Sequence, residues 1–150
     1  MARLEAGSLI SGQEGRAYIK TDGKNQELMY LREITAVLTK KKKAVRTLGR
    51  RGEQYRTAGY SGSGVMKAYY VSSLFRKQAI DYIRTGVDTY FDILVVNDDP
   101  QSGFGSQSVV LKNCTVDKVT LARLDVDSDF LDEELTFTFE DAELLDSFTA

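Results

Sequence analysis

Seven cations fall within twelve residues at Lys40, Lys41, Lys42, Lys43, Arg46, Arg50 and Arg51, and Tyr55 and Tyr60 follow. Such a run can track nucleic-acid phosphates, each neutralised phosphate adding affinity through counterion release. It can equally be the solvated tip of a hairpin, or a docking loop for an acidic protein surface. The chain supplies an acidic complement of its own, because Asp125, Asp127, Asp129, Asp132, Glu133 and Glu134 share ten residues. That favours the docking reading. The first three carboxylates have the spacing of positions 1, 3 and 5 of a calcium loop. The match then fails: Phe130 stands where the sharp turn demands glycine, and Thr136 where a bidentate glutamate is required. An acidic turn between two strands is expected there, and no metal site.

Other chemistry is thin. With no histidine in the chain, the commonest general base, the commonest metal ligand and every Ser-His-Asp or Cys-His arrangement are missing. The lone Cys114 can form no internal disulfide and supplies no zinc site, so a small buried hydrophobe in a reducing compartment is expected. Acidic neighbours such as Asp98 and Asp99 do not make a glycosidase pair, since adjacent residues of a strand point to opposite faces. The glycines of 62–64 and 103–106 read as turn glycines, because neither group opens a helix after a strand as a phosphate-binding loop must. No catalytic residue and no cofactor are expected; the protein reads as a non-enzyme.

Charge is distributed along the chain as a gradient. Residues 1–60 hold 13 Lys/Arg against 6 Asp/Glu, residues 61–123 hold 7 against 6, and residues 124–150 hold none against 10. Two oppositely charged regions on one small domain complement each other when copies meet head to tail, a heterologous contact that yields rings or filaments. At 150 residues, 42% hydrophobic and 28% charged, the chain reads as a single domain with a real core. Residues 1–15 lack the apolar stretch of a signal peptide, and no stretch approaches the ~18 apolar residues of a membrane span, so synthesis in the cytoplasm without membrane anchoring is expected.

The elements that must carry these groups are mostly strands. Residues 1–14 read as an untethered arm and 15–20 as a short strand closed by the Asp22-Gly23 turn signal. Residues 26–41 read as a long strand partly covered on both sides. Residues 40–64, basic and glycine-rich, read as a long functional loop. A strand over 65–71 leads to one helix, with Ser72 or Ser73 as N-cap, Phe75 and Tyr82 toward the core, and Gly86 as C-cap. Period-two patterns return over 90–96, 108–125 and 134–140, the last alternating Leu135, Phe137 and Phe139 with Thr136, Thr138 and Glu140. Residues 142–148 read as one or two turns of helix. Six or seven strands and one helix without βαβ alternation predict a mainly β (α+β) fold: two packed antiparallel sheets in a small sandwich or barrel, with a flanking helix.

At this point a resemblance emerges. The opening GSLISG of 7–12, the GRAYI of 15–19, the 27–41 strand with its lysine-rich continuation, the GYSGSGVM of 59–66 and the 69–83 strand-to-helix join resemble tail tube proteins of contractile phage tails. The likeness is strongest to the Gram-positive type and its phage-tail-like particles, and it spans nearly the whole chain in order and texture.

The resemblance implies a virion structural subunit: hexameric rings whose inner strands close a continuous β-barrel, stacked into a tube that sheath contraction drives through an envelope. Partners implied are copies of itself, a tail sheath protein, a baseplate initiator and a tail terminator. DNA would pass through the lumen without specific binding where a head is present. Residues 40–64 match the position of the family's inter-ring loop. The seven cations of 40–51 are expected at ring interfaces rather than in the bore, with Asp125, Asp127, Asp129, Asp132, Glu133 and Glu134 as their complement. Thr136, Thr138 and Glu140 are lumen or interface candidates. The competing expectation is a stand-alone nucleic-acid-binding module built on the basic run.

Overall fold

The computed structural model describes residues 5–21 and 23–149. After a 3-10 turn at Ala6–Ser8 come β1 (Gly15–Thr21), β2 (Lys24–Glu27), β3 (Leu31–Val45), β4 (Gln54–Tyr69), helix α1 (Leu74–Thr85), β5 (Phe91–Asp98), β6 (Ser106–Lys118), β7 (Asp132–Phe139) and β8 (Asp141–Asp146). Every strand pair is antiparallel. The order across the sheet is β2-β1-β5-β6-β7-β4-β3, with β8 also on β6. The fold is therefore mainly β with one helix, as the alternation patterns predict. The strands form one hydrogen-bonded sheet of eight that does not close into a barrel.

Its two halves are joined by β6. Residues 106–114 of that strand pair with β5, and 108–112 also pair with β8. Beyond the irregularity at Asn113, residues 115–118 pair with β7. Asn113 has φ 53°, a left-handed conformation that asparagine tolerates better than most residues. Its N–H donates to Asp92 Oδ1 at 3.2 Å and its side-chain amide to Glu140 Oε2 at 3.2 Å. Bulges of this kind re-aim a strand, which is how β6 passes from one half to the other.

The core lies between the halves. Ile19, Met66, Ile93, Cys114, Leu135 and Phe137 are fully buried, and Phe75 enters from α1 with its ring centroid 5.7 Å from that of Phe91. Cys114 is thus a small buried hydrophobe, as expected. Burial, reinforced by the charge of Asp92, pushes its thiol up to about 12.

Several sequence expectations are corrected. Residues 40–64 are not a loop: β3 runs through all four lysines to Val45, a turn spans 46–53, and β4 returns from Gln54. Lysine and glycine are poor strand formers, and this ribbon is exposed on both faces, so no alternation betrays it. A bulge helps it hold, with Ala58 and Gly59 facing Lys41 between the Lys40↔Tyr60 and Lys42↔Thr57 pairs and Gly59 at φ 128°. The 26–41 strand is broken at 28–30, where Leu28 plugs the core.

Residues 142–148 form no helix, because β8 continues the line of β7 along β6; backbone pairing outweighs the helix propensity of its Ala, Glu and Leu. Gly86 does cap α1, at φ 76°, whereas Tyr82 is half exposed, lining an open groove toward β6 and not packing into the core. Nor is the N-terminal arm wholly untethered: Ser11 N–H donates to Asp99 Oδ2 at 2.9 Å and Asp98 N–H to Glu14 O at 3.1 Å. Residues 1–4 and Asp22 of the predicted turn lie outside the described residues.

Candidate assembly surfaces

The hairpin of β3 and β4 is a scaffold at one end and a free arm at the other. From Tyr69 to Gly62, β4 lies between β3 and β7; beyond Gly62 only β3 accompanies it. The remaining eight residues, 54–61, carry the two-stranded arm roughly 25 Å past the sheet at about 3.3 Å per residue. Its root is fixed by glycines. Gly62 pairs with Phe139 and Gly64 with Phe137, and a Cβ on either glycine would overlap the facing ring. The aromatic rings lie across bare backbone and anchor the arm. Tyr60 adds a hydrogen bond from its hydroxyl to the Glu140 carbonyl at 2.7 Å.

All seven candidate cations sit on this arm and are exposed: Lys40, Lys41, Lys42 and Lys43 on β3, Arg46, Arg50 and Arg51 in the turn. Glu53 partly offsets them, 3.5 Å from Arg46 and accepting from the Tyr55 hydroxyl at 3.3 Å. Among the cations stand exposed apolar side chains. Leu48 is fully exposed at the turn, and Val45 and Tyr55 are exposed on opposite faces of the ribbon below it.

The acidic residues separate into three kinds. Asp125 closes a tight turn, accepting from the Ser128 hydroxyl at 2.8 Å and the Asp127 amide at 3.0 Å, and these two bonds hold its carboxyl below the usual range. Asp125, Asp127, Asp129 and Glu134 are exposed. Asp132 pairs with Arg32 at 2.8 Å. Glu133 is turned inward, 5% exposed and 2.5 Å from Arg76, which also stacks 4.2 Å over the Tyr70 ring and bonds the Ser72 carbonyl. That pair ties α1 to β7 and leaves Glu133 no open surface. Interleaved with the aspartates are Leu124, Val126 and Phe130, exposed at 97%, 97% and 82%.

Register places the two charged regions far apart. The turn 46–53 adjoins Gln54, while the acidic loop enters β7 at Asp132, which pairs with Tyr69. Fifteen residues of β4 separate them, roughly 50 Å of extended strand. The cations and the acidic loop therefore occupy opposite ends of one molecule.

Across the half made of β3, β4, β7 and the end of β6, the face turned away from Phe137 is rich in hydroxyls. Val37, Ser63, Thr138 and Thr115 stand in one register row, and Thr35, Val65, Thr136 and Lys118 in the next. Thr115 and Thr138 hydroxyls lie 3.2 Å apart. Thr136 and Thr138 thus share a face, whereas Glu140 sits at the β7–β8 break, bonded to Asn113. None of the seven cations enters these two rows. The outer edge of β3 pairs with no strand among the described residues. A groove of about 390 Å³ runs between α1 and β6, with Phe75, Tyr82, Ile83 and Leu121 in its lining. Among the described residues no cluster suited to a metal ion occurs.

Sequence reasoning located the charges but passed over the side chains between them. Leu48, Leu124, Val126 and Phe130 carry a signal only once their exposure is known, since isolated apolar residues in polar loops are otherwise unremarkable.

Residues 2–146 match the family described as phage tail tube protein. The Phage-like element PBSX protein XkdM of Bacillus subtilis (strain 168) is 40% identical over 138 residues, covering 92% of this chain and 91% of that protein. A chain in the sheath-tube complex of the PVC extracellular contractile injection system superposes with a TM-score of 0.66 at 11% identity, over 91% of this chain and 90% of that one. The SPP1 tail tube gives 0.65 at 9% identity, over 91% and 78%. At such identities the likeness to the solved structures is one of fold.

Proposed function

Because this chain belongs to the phage tail tube protein family and is a tube subunit, we propose that it builds the inner tube of a contractile tail or phage-tail-like particle as stacked homohexameric rings. The observation that carries the reading is the separation of charge along β4. A basic arm and an acidic loop at opposite ends cannot satisfy each other within one copy, so their complement is the next copy along the axis. The arm of 40–64, a hairpin rather than a loop, is the inter-ring element in this reading. Lys40 to Lys43, Arg46, Arg50 and Arg51 face Asp125, Asp127, Asp129 and Glu134 of the neighbouring ring.

Within a ring, the open edge of β3 offers a full row of backbone donors and acceptors for strand pairing with the adjacent subunit. Repeated around six copies, the half made of β3, β4, β7 and the end of β6 closes the barrel. Its hydroxyl face, Thr136 and Thr138 included, then lines the bore. Lys118 and Lys67 on that face are matched by Glu33 and Glu134, and a lumen without a cation excess does not grip phosphates, which suits DNA that passes through without specific binding. The tube lies in the tail, inside a sheath, between a baseplate initiator and a terminator. The subunit is made in the cytoplasm of the producing cell and works structurally, without catalysis.

Electron microscopy of tubes from cells that make the whole tail tests this, with hollow tubes of six-fold rings as the expected result. Sedimentation of the concentrated full chain as a strict monomer at every salt concentration, together with a steeply salt-dependent affinity for DNA, would instead favour the nucleic-acid-binding module.

A further inference from the structure

We propose that the ring-to-ring contact is locked by apolar side chains, with Leu124, Val126 and Phe130 of one copy forming the seat for the Leu48 tip of the arm of a second copy. The inference rests on the stacking reading above and names the groups that hold the contact once charge has aligned it.

Three observations converge on this occupant. Leu124, Val126 and Phe130 are almost fully exposed although they belong to a well-formed turn, so they are not core residues that failed to find cover. Large apolar side chains clustered on a polar rim mark interaction sites on soluble proteins. A basic counterpart stands on the arm tip, where the fully exposed Leu48 shares the 46–53 turn with Arg46, Arg50 and Arg51. One patch is apolar with an acidic rim, the other apolar with a basic rim. This complementarity selects a second copy of this chain over a partner of unrelated charge. Finally, the roughly 50 Å of β4 between the two patches forbids the contact within one molecule.

The two components respond differently to salt. At about 1 M ionic strength the Debye length falls to about 3 Å, so exposed ion pairs are largely screened while apolar contact persists. Wild-type tubes should therefore survive 1 M sodium chloride. A triple variant, Leu124→Ser, Val126→Ser and Phe130→Ser, should keep the melting temperature of the free subunit, because those side chains touch little of it. Its tubes should dissolve in high salt, with a critical concentration raised about tenfold or more. In a second measurement, the paired substitutions Leu48→Cys and Phe130→Cys should give an oxidised ladder of cross-linked subunits in tubes and none in dilute subunit. The native thiol leaves that background silent, since Cys114 is fully buried and its ionisation is pushed up to about 12.

Wild-type tubes that fall apart in high salt overturn the apolar lock, as do triple-variant tubes that resist salt as wild type does, or a missing ladder in tubes that form. Those results leave stacking intact. Absence of tubes from cells making the whole wild-type tail overturns stacking itself.

Discussion

The two halves of β4 differ more than many separate elements do. Residues 62–69 are sandwiched between two strands, with Gly62, Gly64, Met66 and Ala68 buried against β7. Residues 54–61 of the same strand have one neighbour and no core. One backbone conformation thus serves two purposes, and the side chains decide which. Where glycine, methionine and alanine occupy every second position, the strand is held by packing. Where tyrosine, arginine and small polar residues take their place, it is kept extended by pairing alone and left open to a partner. A two-stranded ribbon is marginal in isolation, so the rigid root is what makes the exposed end usable.

This contrast can be broken most severely at the root. Phe137→Ala should cost about 3–5 kcal/mol, seen as a lowered melting temperature in calorimetry, because a fully buried ring leaves a cavity against bare glycine backbone. Gly64→Ala should cost less, about 1–3 kcal/mol by chemical denaturation, since the new Cβ meets both the Phe137 ring and the Thr35 carbonyl. A neutral result there would show that the ring slides aside and that glycine does not fix the root.

On the arm the expectation inverts. Reversing Arg50 and Arg51 to Glu should leave subunit stability within about 0.5 kcal/mol yet cut tube yield sharply in pelleting assays. Adding Asp127→Lys and Asp129→Lys should restore part of it. A matching loss of subunit stability would mean that the arm is structural after all.

The smallest effect concerns the acidic turn. Asp125 has a lowered folded value, so its contribution is fully present above the ordinary aspartate range and disappears as pH falls through that lowered value. The Asp125 side-chain carboxyl carbon shift, followed by NMR from about pH 6 to about pH 2, should therefore move only at the acid end. Ser128→Ala should shift that titration back toward the ordinary aspartate range.

Strand alternation made β7 legible from Leu135, Phe137 and Phe139, and the helix announced itself through Phe75 and Gly86. What alternation could not show is structure that buries neither face. The ends of β3 and β4 look like a loop for that reason, and β8 looks like helix because only its backbone pairing with β6 decides the matter. The candidate site was half legible. Charges are visible in any sequence, so the basic run and the acidic stretch stood out. The alternation of Leu135, Phe137 and Phe139 carries Glu133 to the buried face once β7 is known to begin before it, but its partner Arg76 shows only in the fold, and the exposure of Leu124 and Phe130 depends on a turn whose shape is set by Asp125 and Ser128.

The placement of cations at one end of β4 and carboxylates at the other bears on how such a polymer begins and stops. If copies stack as proposed, any finite stack has two unlike faces, one presenting free arms and the other vacant acidic seats. Growth thus has a direction built into each subunit, while length does not, since every added copy recreates the face it covered. Whatever primes the stack and whatever ends it must read opposite chemistry, and neither can substitute for the other.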